Sequence, residues 1–519
     1  MQNLFKTVWI LISRIRQEFW LGEEVPLYSG APETMIGESC KDIPYRILKV
    51  ESFARNSASF FKVESMKTKK QKDFEQMPVV NFRAAGIDVG SKSHFAAIGQ
   101  GKEDVREFGS YTNNLHELCG WLKAASITTV ALESTGSYWR PLFILLQAYD
   151  LNPILVNGKY TKNVQGKKTD VLDCQWIQKL HTMGLLEGSF IPDLFTETLR
   201  QYCRHRNYLV ENASDYINKM QRALRVTNIR LDMAVTDIAG KSGKDIIEAI
   251  IAGERDPEKL ASLANIQVKK SREEIILALT GDWRDEYVFE LRHCYEVYCY
   301  FHLKISECDE QIENLLNTRI EANEKADGEA RANYTNKFKI KGKNKPKINL
   351  PKLSFQLTGG IDLCEIEGVK SGTIMAILSE TGIDLKAFPT AKHFVSWLRL
   401  APNNRVSGGK VISHRTPKGK NLLAEALRRA ANSVGLAKKG SLSEFFKRIN
   451  HKKGRLVAIT ATARKLAVII YNMLTKKQPY QPQDQTDYLN KIRMNQIRSM
   501  QRRINQLNVL PHELLFVTS

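Results

Sequence analysis

The pattern of apolar positions predicts two kinds of architecture in succession. From Phe82 the apolar residues come in short runs. Ala84 to Gly99 reads as a strand that bends at Gly90-Ser91-Lys92-Ser93 and resumes over His94 to Ile98, and Glu103 to Tyr111 reads as a third strand. Leu115, Leu118 and Leu122 then share one face of a helix over Asn114 to Ala124. Thr128 to Glu133 reads as a strand, Ser137 to Tyr149 as a helix, Asn152 to Val156 as a strand and Asp170 to Leu186 as a helix. Strands first, then alternating helix and strand, is the order of an α/β layer.

From about residue 196 the period becomes helical. Leu291, Cys294, Tyr298, Phe301, Ile305, Cys308, Ile312 and Leu315 alternate three and four apart for four heptads, a coiled-coil seam of about 42 Å if continuous. Such a seam packs either inside one chain, with Leu199 to Leu224 as an antiparallel partner, or against a second subunit. The pattern favours the second subunit. Helical periodicity returns from 362 to 476, and the Gln- and Arg-rich end, 477–519, reads as a basic tail helix. The expected division is therefore an appendage over 1–80, an α/β domain over 81–195, a helical coiled-coil region over 196–323, a basic linker over 324–354, a mainly helical domain over 355–476 and the tail.

Charge changes the picture more than composition does. The 519 residues hold 77 Lys and Arg against 56 Asp and Glu, a net +21, with an isoelectric point near 9.5. An apolar share of 43% excludes wholesale disorder and collagen-like repeats, and the positive excess points to a polyanionic partner. Lys337, Lys339, Lys341, Lys343, Lys345 and Lys347 alternate through a stretch without acids, which reads equally as a solvated loop or as a phosphate-binding arm. The 8 cysteines contain no C-x-x-C pair, as expected of a reducing, cytoplasmic setting. No apolar run approaches the about 18 residues that span a bilayer, so no membrane partner is expected.

Acids in apolar strands demand a reason. Asp88 sits in Ala85-Gly86-Ile87-Asp88-Val89, and Glu133 ends Val130-Ala131-Leu132-Glu133. Asp170 and Asp173, at i and i+3, share a face at the start of a helix. Alone, that pair reads as an N-cap with its capping-box acid. Four converging carboxylates would repel one another unless divalent cations offset the charge, and Mg²⁺ or Mn²⁺ suits oxygen ligands. Such a centre serves in-line phosphoryl displacement.

These residues carry a resemblance. Gly86-Ile87-Asp88-Val89, Leu132-Glu133-Ser134-Thr135-Gly136-Ser137-Tyr138-Trp139 and Val156-Asn157 through Lys168-Thr169-Asp170-Val171-Leu172-Asp173 resemble the insertion-sequence transposases of the family numbered 110. Ala401-Pro402-Asn403-Asn404-Arg405-Val406-Ser407-Gly408-Gly409-Lys410 resembles that family's C-terminal motif. Residues 1–80 fall outside the pattern, as an appendage or as the product of a start upstream of Met66 or Met77.

The resemblance implies a RuvC-like domain of RNase H fold with the tetrad Asp88, Glu133, Asp170 and Asp173, and a catalytic serine at Ser407. On its residues alone Ser407 reads as a turn serine. Lys410, Arg415 and Lys418 read as phosphate contacts or as ordinary surface cations, and His414 as a weak candidate base. Cys364 to Thr373 reads as a helix-hairpin-helix or a plain turn. The family implies recombination of donor and target DNA guided by a structured noncoding bridge RNA, through a covalent serine–DNA intermediate, in dimers and tetramers of bacterial, nucleoid-associated protein. The heptad seam is the expected dimer contact. Competing expectations are a metal-dependent RuvC-like junction-resolving nuclease and an inactive RNA- or DNA-binding protein.

Overall fold

The computed structural model describes residues 78–161, 169–327, 334, 342, 344–482 and 484–507. The chain divides into two compact units, Met1–Glu187 and Gly188–Ser519. Lys337, Lys339 and Lys341 lie outside the described residues, as does nearly all of the expected appendage.

The first unit is built on strands β1 (Ala84–Val89), β2 (Ser93–Ala97) and β3 (Val105–Gly109), helix α1 (Thr112–Ala124), strand β4 (Thr129–Glu133), helix α2 (Trp139–Ala148), strand β5 (Pro153–Val156), the single turn α3 (Gly158–Thr161) and helix α4 (Asp170–Thr182). The strand order is β3-β2-β1-β4-β5. β1, β2 and β3 pair antiparallel, whereas β1, β4 and β5 run parallel. This mixed sheet is the α/β layer read from the chain, in the RNase H-like arrangement that the resemblance implies. Its centre is dry: Ala85, Ile87, Val130, Ala131 and Leu132 are fully buried, as strands covered on both faces require.

The second unit is helical. Helix α5 (Leu194–Val226) leads through the short helices α6 (Leu231–Ala234), α7 (Lys241–Ile251), α8 (Pro257–Ser262) and α9 (Arg272–Leu279) to α10 (Asp285–Asp327). α10 is 43 residues long, about 64 Å at 1.5 Å per residue. It lies antiparallel to α5: Tyr216 meets Phe301 with ring centroids 5.6 Å apart, and Arg206 pairs with Asp309. The heptad seam is spent in this contact. Leu291, Tyr298, Ile305 and Ile312 are buried within the chain, which corrects the expectation that the seam faces a second subunit. The predicted antiparallel partner, Leu199 to Leu224, is the strand-free helix that covers it.

Helices α11 (Leu350–Leu357), α12 (Ser371–Glu380), α13 (Ala391–Trp397), α14 (Leu422–Leu436), α15 (Ser441–Lys453) and α16 (Arg455–Lys476) form the other half of this unit, with a hairpin of β6 (Arg405–Ser407) and β7 (Lys410–Ser413) projecting from it. The tail carries α17 (Gln485–Gln506). By length and composition α16 is apolar enough to cross a bilayer, a feature the run-length reading missed because Arg464 and Lys465 interrupt it. Its Ala463, Leu466, Ala467 and Ile470 are buried in the core of the unit. Between Leu363 and Thr373 a 3₁₀ turn and a bend lead into α12. Gly368, at φ +82°, is packed so closely on α14 that a Cβ would sit 2.7 Å from the Ala430 carbonyl oxygen. That glycine serves helix packing, which favours the plain turn over a phosphate-presenting hairpin.

Candidate active site

The carboxylates owe their positions to strand parity. In the parallel pair β1–β4, Gly86 aligns with Ala131 and Ile87 with Leu132. Side chains alternate between faces, so Asp88 and Glu133, two residues beyond Gly86 and Ala131, point to the same face as those two. That face is the one α4 covers. A Cβ on Gly86 would overlap the backbone of Cys174 and Gln178, and Ala131 shares a buried cluster with Ile177. Both acids stand at the carboxyl ends of the central strands, and both are half-buried.

Helix α4 runs against the direction of β1. Gln178 Nε2 donates to the carbonyl oxygen of Ala84 at 3.2 Å, near the start of the strand. The amino end of α4 is therefore carried toward the other end, where Asp88 sits. Asp170 and Asp173 occupy its first turn. Cys174 shows how near these charges come: burial pushes its thiol up to about 12, and the negative charges of Asp88 and Asp173 both add to the rise.

The sequence reading of Asp170 as an N-cap is corrected. The cap is Thr169, in extended backbone, whose side chain accepts from the Leu172 amide at 3.3 Å. Threonine fills the capping role, which leaves both aspartates outside it, Asp170 exposed and Asp173 half-buried. Acids in this turn also gain from the helix dipole. Thr161 is a contributor that sequence reasoning missed. Its hydroxyl donates to Glu133 Oε2 at 2.7 Å, while its carbonyl accepts from Trp176 Nε1 at 3.1 Å. Glu133 is thereby tied to α4 through one buried threonine. Gly86 is the other missed residue, and its signal was legible: a glycine inside an apolar strand marks a close backbone approach.

Among the described residues no three His, Cys, Asp or Glu side chains already stand close enough together to hold a metal ion. The donor chemistry nevertheless suits one. All four groups are carboxylates, the ligands of a hard divalent cation. Asp88 and Glu133 end neighbouring strands on the face that α4 covers, and Asp170 and Asp173 sit in the first turn of that helix.

Ser407 belongs to the second unit, at the tip of the β6–β7 hairpin. Its turn is Gly408-Gly409, with φ +55° and +74°. Two successive positive φ values make a type I′ turn, the two-residue connection that matches strand twist. Ser407 pairs across it with Lys410, and Ile412 forms a bulge between Val411 and Ser413. All of residues 402–412 are exposed, so the hydroxyl is presented on a narrow ribbon. Lys410 is exposed beside it at the tip, and Arg415 and Lys418 are exposed beyond the base of the hairpin. His414 stands at the other end of the hairpin, with Nδ1 3.0 Å from Asn404 Oδ1.

An RNase H-like sheet with acids at the ends of its two central strands defines a metal-dependent class of enzyme acting on nucleic-acid phosphodiesters. Family models narrow the class. The DEDD transposase model of IS110 elements matches residues 85–229, and the model described as Transposase IS116/IS110/IS902 family matches residues 362–447. Both models describe transposases of the IS110 family, so the chain carries that family's two domains in order, and these support an enzyme of transposition that acts on DNA. No curated protein matches this chain.

Proposed function

We propose that this transposase cuts and rejoins DNA by serine attack, with Ser407 as nucleophile and Asp88, Glu133, Asp170 and Asp173 as the ligands of its divalent metal. The observation that supports this reading is that Asp88 and Glu133 share the face of the sheet that α4 covers, with Asp170 and Asp173 in that helix's first turn, together with the type I′ turn that exposes Ser407. Mg²⁺, or Mn²⁺, would supply positive charge to the phosphate oxygens of the strand being cut. The Ser407 Oγ attacks phosphorus, and a P–O bond forms to the serine as the P–O bond to one strand oxygen breaks. The proton that the serine hydroxyl gives up is balanced by the one that the departing strand oxygen takes up, so that strand ends in a free hydroxyl. The covalent ester conserves the bond energy, so a second strand end can reverse the step without net hydrolysis. Lys410, Arg415 and Lys418 neutralise phosphate charge around the hairpin, and Gly408-Gly409 let a backbone approach closely.

The family resemblance extends the proposal. A structured noncoding bridge RNA pairs with donor and target DNA and so chooses the sequence, while the protein holds backbones. The working assembly is a dimer to tetramer in which the acids of one subunit meet Ser407 of another, acting on nucleoid DNA in the bacterial cytoplasm. Because α10 spends its seam on α5, the contact between subunits belongs to another surface.

The test compares full-length Ser407→Ala and Asp173→Asn proteins, with bridge RNA and DNA, for recombinant product and for protein–DNA adducts on denaturing gels. Both variants should lose product and adduct while retaining RNA binding. A Ser407→Ala protein that still cuts DNA would turn the reading to a junction-resolving nuclease in which water attacks. Normal recombination by Asp173→Asn would remove the proposed metal ligands.

A further inference from the structure

The base of the serine hairpin opens on a cleft of about 920 Å³. Pro402 enters it just before β6, and His414, Arg415 and Thr416 line it just after β7. The opposite wall is one face of α16: Val457, Thr460, Arg464 and Val468 recur at helical spacing along it. Phe445 of α15 closes one side. At the lip Leu456 is 82% exposed.

The lining combines two chemistries. The floor is apolar, and the rim is cationic. Arg415, Arg464 and Lys465 line the cleft, and among its described lining residues none is acidic. Lys465 Nζ lies 4.8 Å from the Phe445 ring centroid, with the Arg448 guanidinium 5.7 Å from the same ring. Burial and the charge of Arg448 hold the Lys465 ammonium below its usual range, with Glu367 opposing. An anion entering here would relieve that repulsion, and an apolar ring would cover the floor. One ligand class supplies both parts: a nucleotide whose base has left the stack.

We propose that this cleft takes an unstacked nucleotide of the DNA strand beside the scissile phosphate. The base lies against Phe445, Leu456, Val457 and Val468, and the flanking phosphates meet Arg415 and Arg464. Spacing supports the assignment. Ser407 stands two residues out from the Arg405–Ser413 pair, about 7 Å at 3.4 Å per residue, the length of about two stacked nucleotides. A base held at the foot of the hairpin would fix the register of the strand crossing its tip. This inference rests on Ser407 as nucleophile for its meaning, but the cleft can be tested apart from it.

The experiment uses full-length protein carrying Ser407→Ala and short single-stranded DNA with one central 2-aminopurine, whose emission rises when the base unstacks. Binding should raise the emission several-fold. Phe445→Ala should abolish the rise and weaken binding by about tenfold. Leu456→Asp, a change at an exposed position that leaves folding intact, should do the same if Phe445→Ala unfolds. Arg464→Gln should lower the slope of log affinity against log salt by about one. Unchanged emission from bound DNA, an unchanged affinity in Leu456→Asp, or a response confined to RNA of the same sequence would overturn the proposal. If Ser407→Ala protein still cuts DNA while the rise depends on Leu456, the nucleophile assignment fails and the cleft stands.

Discussion

Gly86 of β1 and Gln178 of α4 lie backbone to backbone, with no room for a side chain between them. This contact sets how closely the helix bearing Asp170 and Asp173 rides on the strand bearing Asp88. Gly86→Ala should therefore act twice. It should cost about 1–3 kcal/mol by overpacking, measured by denaturant unfolding. It should also lower recombination further than that loss explains, at a temperature where the variant is folded, because the displaced helix carries two acids. Full recombination by a folded Gly86→Ala protein would show that the spacing is not required.

The buried pair Arg206–Asp309 clasps α5 to α10. Each side chain is about 95% buried or more, and the two meet in a bidentate contact. Asp309 Oδ2 also accepts from the Lys347 amide at 3.1 Å. Removing one partner strands a charge in the core. Asp309→Ala should cost about 3–5 kcal/mol, whereas the double change Arg206→Met with Asp309→Leu should cost much less. Urea unfolding of the two single variants and the double variant forms the cycle that measures this. Additive costs would contradict the pairing.

His181 makes the first unit sensitive to acid. Burial lowers its pKa from 6.5 to about 4, and its Nε2 lies 2.9 Å from Thr129 Oγ1. The unfolded chain takes up a proton near pH 6.5 and the folded one only near 4. The neutral imidazole therefore favours the fold fully above about pH 6.5. That contribution is lost as pH falls from 6.5 toward 4, by no more than about 3 kcal/mol. A His181→Asn protein should show a flatter loss of melting temperature across that window. Identical pH profiles would assign the acid sensitivity elsewhere.

Much of the first unit was legible because its signals are local. Alternating and continuous apolar runs mark strands, and the strand bounds fall within about two residues of those read from the chain. Asp88 and Glu133 stood out because an acid in such a run is costly without a purpose. The aspartates of α4 were harder. Spacing alone made them a cap and its box, and only the backbone around Thr169 showed which side chain accepts from Leu172. The seam of α10 misled for a related reason: a heptad pattern states that a face is buried but not whether the covering helix is in the same chain.

The sequence by itself determined the element order, the basic charge, the identity of the acids and the glycine pair after Ser407, because each depends on residue type and spacing along the chain. The tertiary structure decided what those residues do together. Parity and parallel pairing turn Asp88 and Glu133 to one face, the antiparallel course of α4 brings its first turn to the same end, and α5 rather than a second subunit covers the seam. Pairing register and helix direction join residues far apart in the chain, and no local pattern encodes that choice.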